Sequence, residues 1–192
     1  MVRRFALLLG TLALAAPLAL AQTSTWVPDK AHSGVDFSVL HMSLAKVRGH
    51  FGNIGGSIVM NESDITKSSV NVTIDVTTVD TGVAARDTDL KSANFFDVAQ
   101  FPTATFTSTS IAKSGSGLAI SGNLTLHGVT KPVVLNADAP KGPVNGMDKK
   151  PHYGFSAATT IKRTDFGIAS KAPTSIVGDD VALTIDLDMA KQ

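Results

Sequence analysis

Arg86, Asp87 and Asp89, in the stretch RDTDLKSANFFD (86–97), are the side chains best placed to meet a charged group. A guanidinium presents a planar fork of donors to phosphate or carboxylate, whereas a carboxylate disfavours an anion beside it. Each also has a plainer use. Asp87 sits near the start of a short predicted helix, where negative charge suits the helix dipole, and Arg86 can pair with a carboxylate elsewhere. Five histidines raise metal chemistry next. His32, His41 and His50 are nine residues apart, His127 lies at a strand end, and His152 borders a Pro/Lys-rich loop. No HxH or HExxH spacing and no cysteine accompanies them, so the spacing predicts no dedicated metal site, and no motif calls for a cofactor. Asp165-Phe166-Gly167 matches the kinase magnesium motif in letters only, and GNIGG (52–56) lacks the strand-to-helix setting of a dinucleotide loop. No nucleophile-elbow serine, catalytic cysteine or carboxylate pair can be assembled from spacing, so no catalytic residue is assigned.

The charged stretch runs into aromatics. Phe95, Phe96, Phe101 and Phe106 place four of the nine phenylalanines within twelve residues. Such a cluster either fills a core or lines a cavity, and the residues alone leave both open.

These side chains must be positioned by strands, because period-two alternation dominates the chain. Val35, Phe37, Val39 and His41 share one face, which makes His41 either a satisfied imidazole at a strand end or a polar contact for a ligand. Val70, Val72, Ile74 and Val76 alternate with polar residues, as do Leu118, Ile120, Leu124 and Leu126 around Gly122. Val181, Leu183, Ile185, Leu187 and Met189 form a clean one-sided strand. About eight strands are predicted, over 34–41, 46–60, 68–77, 102–110, 117–127, 131–139, 153–163 and 180–190. A helix is predicted over Ala84–Ala93, with Leu90 and Ala93 facing inward, and a further turn over Glu62–Lys67. The loop 140–151 reads as a solvated excursion. Turn chemistry between long strands predicts an all-β, eight-stranded antiparallel up-and-down barrel with one or two short helices, which removes exposed edges. An immunoglobulin-like sandwich is the alternative. The register of Thr103–Thr109 stays open, since a one-residue slip reverses it.

Composition narrows the partners. Arg3 and Arg4 precede an apolar run, Phe5 to Leu20, which ends in Ala19-Leu20-Ala21. Residues 1–21 therefore read as a signal peptide cleaved after Ala21, leaving 22–192 as a single domain in the periplasm or outside the cell, with no stable membrane span. Removal of the two leader arginines leaves 15 basic against 16 acidic residues, a balance that argues against nucleic acid. With no cysteine in the chain, burial and sheet hydrogen bonds must hold the fold.

Five blocks in order carry a family resemblance: WVPDKAHSGVDFSVLH (26–41), RDTDLKSANFFDVAQFPTATFTS (86–108), GNLTLHGVTKPVVL (122–135), RTDFG (163–167) and VGDDVALTIDL (177–187). Together they resemble the YceI-like family. That resemblance implies a lipocalin-like barrel, usually exported, holding a long polyisoprenoid or similar amphiphilic lipid in an internal tunnel, with no catalytic activity attached. It implies a lipid-contacting wall of Phe37, Val39, His41, Phe51, Val72, Ile74, Phe95, Phe96, Phe101, Phe106, Leu124, Leu126, Phe155 and Phe166. Arg86, Asp87 and Asp89 become head-group candidates. The family commonly has His where this chain has Asp89, a change that would make a phosphate less welcome unless Arg86 compensates. Two alternatives stand beside lipid transport, storage or stress protection: a small enzyme acting on a bound lipid through His41, Arg86 and Asp87, and a scaffold with a filled barrel. A homodimer would have to use outer faces or loops.

Overall fold

The computed structural model of the chain describes residues 22–192, so the predicted leader at 1–21 lies outside the described residues. Its strands are β1 (Thr23–Pro28), β2 (Gly34–His41), β3 (Ala45–Phe51), β4 (Gly55–Asn61), β5 (Ser69–Asp75), β6 (Thr103–Ser114), β7 (Gly117–Leu126), β8 (Val129–Ala137), β9 (Lys141–Asn145), β10 (Pro151–Lys162) and β11 (Val177–Lys191). The helix α1 (Ala84–Lys91) lies between β5 and β6. Short 3-10 turns occupy Ile65–Lys67, Val76–Thr78 and Arg163–Phe166.

Eight antiparallel strands, β1, β4, β5, β6, β7, β8, β10 and β11, close into a barrel because β11 pairs with both β10 and β1. The β2–β3 hairpin extends this ring at one end. β1 and β2 follow one another along β11, with Pro28 opposite Met189 and Gly34 opposite Asp186. β3 and β4 follow one another in the same way along β2 and β1. Residues 46–60, expected as one strand, are therefore two. At the break Asn53 takes a left-handed φ of 52°, Gly52 donates its N–H to the Thr78 hydroxyl at 3.0 Å, and Ile54 turns into the core. The chain changes ladder partners there. β1 was not expected, because six residues with a terminal proline carry little alternation. β9 lies in the loop read as an excursion; all its residues are exposed and it pairs only with β10.

Alternation decides the interior. Along β11, Leu187 and Met189 are buried while Ala182, Thr184 and Asp186 are exposed. On β6, Ala104 and Phe106 face inward and Thr103 and Thr107 outward. A bulge between Ser108 and Ser110 then resets the register, and Ile111 returns to the inner face. Gly122 on β7 is required by Phe106, since a Cβ there would sit 2.4 Å from the ring. The helix ends at Lys91 because the Ser92 N–H and hydroxyl both turn back to the Asp89 carbonyl. Leu90 packs inward as expected, but Ala93 is exposed. The turn expected over Glu62–Lys67 is shorter, beginning after Asp64, which caps it by accepting from the Thr66 N–H and hydroxyl.

Candidate functional site

The barrel interior is hollow in two places. The first chamber, about 120 Å³, lies toward α1 and the Arg163–Phe166 turn. Phe37, Val39, Phe51 and Ile74 line it from the strands, and Leu90, Phe95 and Phe96 close it from the helical side. The second, also about 120 Å³, lies toward the β6–β7 hairpin and is lined by Val72, Phe106, Ile111, Leu118 and Phe155. Val35, Ile74, Leu124 and Leu183 line both. They form a waist between two chambers in series, which is the layout of an elongated tunnel.

The aromatics are shared out by the strands and turns that carry them. Phe51 meets Phe37 with ring centroids 5.3 Å apart and Phe96 edge-on at 5.5 Å. Offset and edge-to-face contacts of this kind hold rings as a wall. Phe96 is brought in by the tight turn after α1, where its N–H donates to the Leu90 carbonyl at 3.0 Å. Leu126 joins the first chamber at the end of β7.

Three residues expected on the wall lie elsewhere. Phe101 stacks edge-on against His127 at 4.8 Å, over Gly128. Phe166 is buried in the core but lines neither chamber. His41 is exposed at the end of β2, past the point where the strand leaves the interior.

The three head-group candidates are occupied outside the chambers. The Asp87 carboxylate accepts the Thr81 N–H at 2.9 Å and the Thr81 hydroxyl, while Arg86 donates to the Thr81 hydroxyl at 2.8 Å and its carbonyl at 3.0 Å. This clasp pins the loop before α1. Asp89 is exposed and accepts from Asn94 at 3.0 Å.

Exposed Asp138 borders the second chamber, and the buried charged residue that lines the first is Arg163, which is 3% exposed. Its donors go to the carbonyls of Ile168, Ala169, Ala172, Val177 and Gly178 at 2.7 to 3.2 Å. Its hydrogen bonds all end on backbone. Sequence reasoning weighed Asp165-Phe166-Gly167 and passed over the arginine two residues earlier. The available signal was a pair of cations, Lys162 and Arg163, at the end of a long predicted strand.

Another grouping was invisible to spacing along the chain. Asp29, His32 and Asp188 bring their ligand atoms within 4.8 Å of one another, because Asp188 arrives from β11. On its other side Asp188 meets His152 Nδ1 at 2.5 Å, and His152 Nε2 meets Asp148 at 3.1 Å. These carboxylates raise the His152 pKa above its usual value, Asp188 contributing most. None of these residues lines either chamber.

A family model described as "YceI-like domain" matches residues 26–189, nearly the whole barrel. The chain belongs to the YceI-like family. It is 41% identical over 166 residues to Protein YceI of Salmonella newport (strain SL254), covering 84% of this chain and 83% of that relative. Among solved structures, Burkholderia cenocepacia BcnA superposes with a TM-score of 0.75 at 24% identity, over 84% of this chain and 98% of BcnA. A polyisoprenoid binding domain from Saccharophagus degradans, implicated in plant cell wall breakdown, superposes with a TM-score of 0.63 at 16% identity, over 89% and 100% of the two chains. At those identities the two structures establish the shared fold of this YceI-like barrel. Among the described residues no helix is long and apolar enough to cross a membrane.

Proposed function

We propose that this protein holds a long-chain polyisoprenoid or similar amphiphilic lipid along its barrel axis and carries or stores it in the periplasm or outside the cell, with residues 1–21 as the export leader. The observation that carries the reading is the pair of apolar chambers in series, joined at Val35, Ile74, Leu124 and Leu183. A folded core closes around its own side chains, so space walled almost wholly by apolar groups favours an apolar guest. The polyisoprenoid binding recorded for the Saccharophagus domain of like fold supports the choice of chain. Each buried methylene contributes about 0.8 kcal/mol, so a tail filling both chambers binds well even after association costs. Arg163, whose donors all go to backbone carbonyls, holds the 168–178 segment in place at the first chamber's end.

The test is mass spectrometry, native and after organic extraction, on protein purified from the exported fraction. A stoichiometric lipid of isoprenoid mass is expected. Protein that is repeatedly lipid-free and also fails to take up added polyprenyl chains would sink the reading.

A further inference from the structure

The tip of the β2–β3 hairpin is built against the usual rules for a soluble turn. Leu44 is 83% exposed, Met42 49% and Leu40 43%, and Ile176 from the segment before β11 is 43% exposed. These belong to one patch, since the Met42 N–H donates to the Ile176 carbonyl at 2.8 Å and His41 pairs with Val177. Met42 and Ser43 both take positive φ, 53° and 57°, a conformation that hairpin tips usually assign to Asn or Gly. A thioether side chain and backbone strain are thus both kept where a small polar residue would suit water better.

The hairpin itself carries cations and no carboxylate past Asp36. Lys46, opposite Leu40 on the neighbouring strand, and Arg48, two residues further along it, are exposed. No acidic residue occurs between Asp36 and Glu62 or between Asp165 and Asp179, the stretches that contain the hairpin tip and Ile176. Asp179 and Asp180, which follow Ile176 along the chain, are already held by Lys162 at 3.7 and 2.8 Å. Apolar side chains at a tip flanked by unpaired cations match an anionic bilayer surface, where the former enter the acyl boundary and the latter meet head groups.

The patch also stands next to the tunnel. Val39 and Val177 line the first chamber, and their chain neighbours Leu40 and Ile176 are the exposed ones. We propose that the β2–β3 tip, with Ile176, docks on an anionic membrane surface and presents the first chamber to the bilayer for loading or delivery of its lipid. This rests on the lipid-holding reading above, and the two are separated by measuring docking and lipid content independently.

The experiment is flotation of the purified protein with vesicles of phosphatidylcholine alone and of phosphatidylcholine containing about a third phosphatidylglycerol. Wild type is expected to float with the anionic vesicles and to be released by high salt. Leu44→Asp, at a side chain too exposed to matter for folding, is expected to lower the bound fraction at least about tenfold. Lys46→Glu is expected to lower it about fivefold on anionic vesicles only. Both variants should keep the wild-type lipid content on extraction, yet exchange lipid with vesicles more slowly. Wild type that floats with neither vesicle, or Leu44→Asp that floats as well as wild type, overturns the docking surface without touching lipid binding. A wild-type dimer that Leu44→Asp converts to monomer, with no flotation in either, overturns it in favour of self-association.

Discussion

Leu124→Trp separates a tunnel from a filled core by two measurements that move in opposite ways. Leu124 lines both chambers and stands opposite Phe106 in the β6–β7 ladder. In a filled barrel the larger side chain would be forced onto its neighbours, at about 1–3 kcal/mol of stability. Beside two chambers of about 120 Å³ each, the ring enters space that is already there, and the expected loss is under about 1 kcal/mol. The guest suffers instead. A chain that spans the waist loses its hold on at least one five-carbon unit, about 3–4 kcal/mol at about 0.8 kcal/mol per methylene, or roughly 10²- to 10³-fold in Kd. Urea unfolding of lipid-free protein reads the first quantity, and displacement of a fluorescent polyprenyl probe reads the second. Unchanged affinity together with a loss of about 3 kcal/mol in stability would refute the tunnel and restore Leu124 to an ordinary core.

Other outcomes follow from individual groups. Arg163→Met strands five backbone carbonyls around 168–178 and is expected to cost about 3–5 kcal/mol in urea unfolding, with lipid affinity falling as the first chamber's end loosens. Asp87→Ala breaks the Thr81 clasp and should cost about 1.5–3 kcal/mol in thermal unfolding while leaving lipid affinity unchanged; a change in head-group preference would contradict the placement of Asp87 outside the chambers. His152 is held protonated by Asp188 first and Asp148 second, so its folded pKa lies above the unfolded one. Its contribution to stability is complete below the unfolded value, roughly pH 6.5, and is lost as pH rises through the raised folded value. His152→Gln should flatten stability against pH across that window, and a wild-type curve already flat there would count against the pair.

Much of the barrel was legible because alternation is a local property of extended chain. Val181 to Met189 announced their inner face residue by residue, and the Val70–Ile74 and Leu118–Leu126 stretches did the same. Phe37, Phe51, Phe95, Phe96, Phe106 and Phe155 line the chambers. Phe101, equally aromatic and in the same cluster, does not, because Pro102 and the entry to β6 leave it against His127. No local pattern distinguishes the two outcomes. Arg86 and Asp87 looked functional as a charged pair, yet both found a partner in Thr81 only a few residues away.

The amino-acid sequence by itself determined which side chains point inward on each strand, since side-chain direction follows from backbone geometry within a few residues. It also carried the family pattern and, through Gly122, the seat for Phe106. The tertiary structure alone decided where the ring closes, how 46–60 splits between two partners, and that the inward faces leave two chambers instead of meeting. It also decided that Arg163 is buried among carbonyls and that Leu40, Met42, Leu44 and Ile176 share one exposed tip. Those outcomes depend on contacts outside the local period, from Arg163 with carbonyls up to 15 residues on to the closing pairs Phe37 with Leu183 and Trp26 with Lys191.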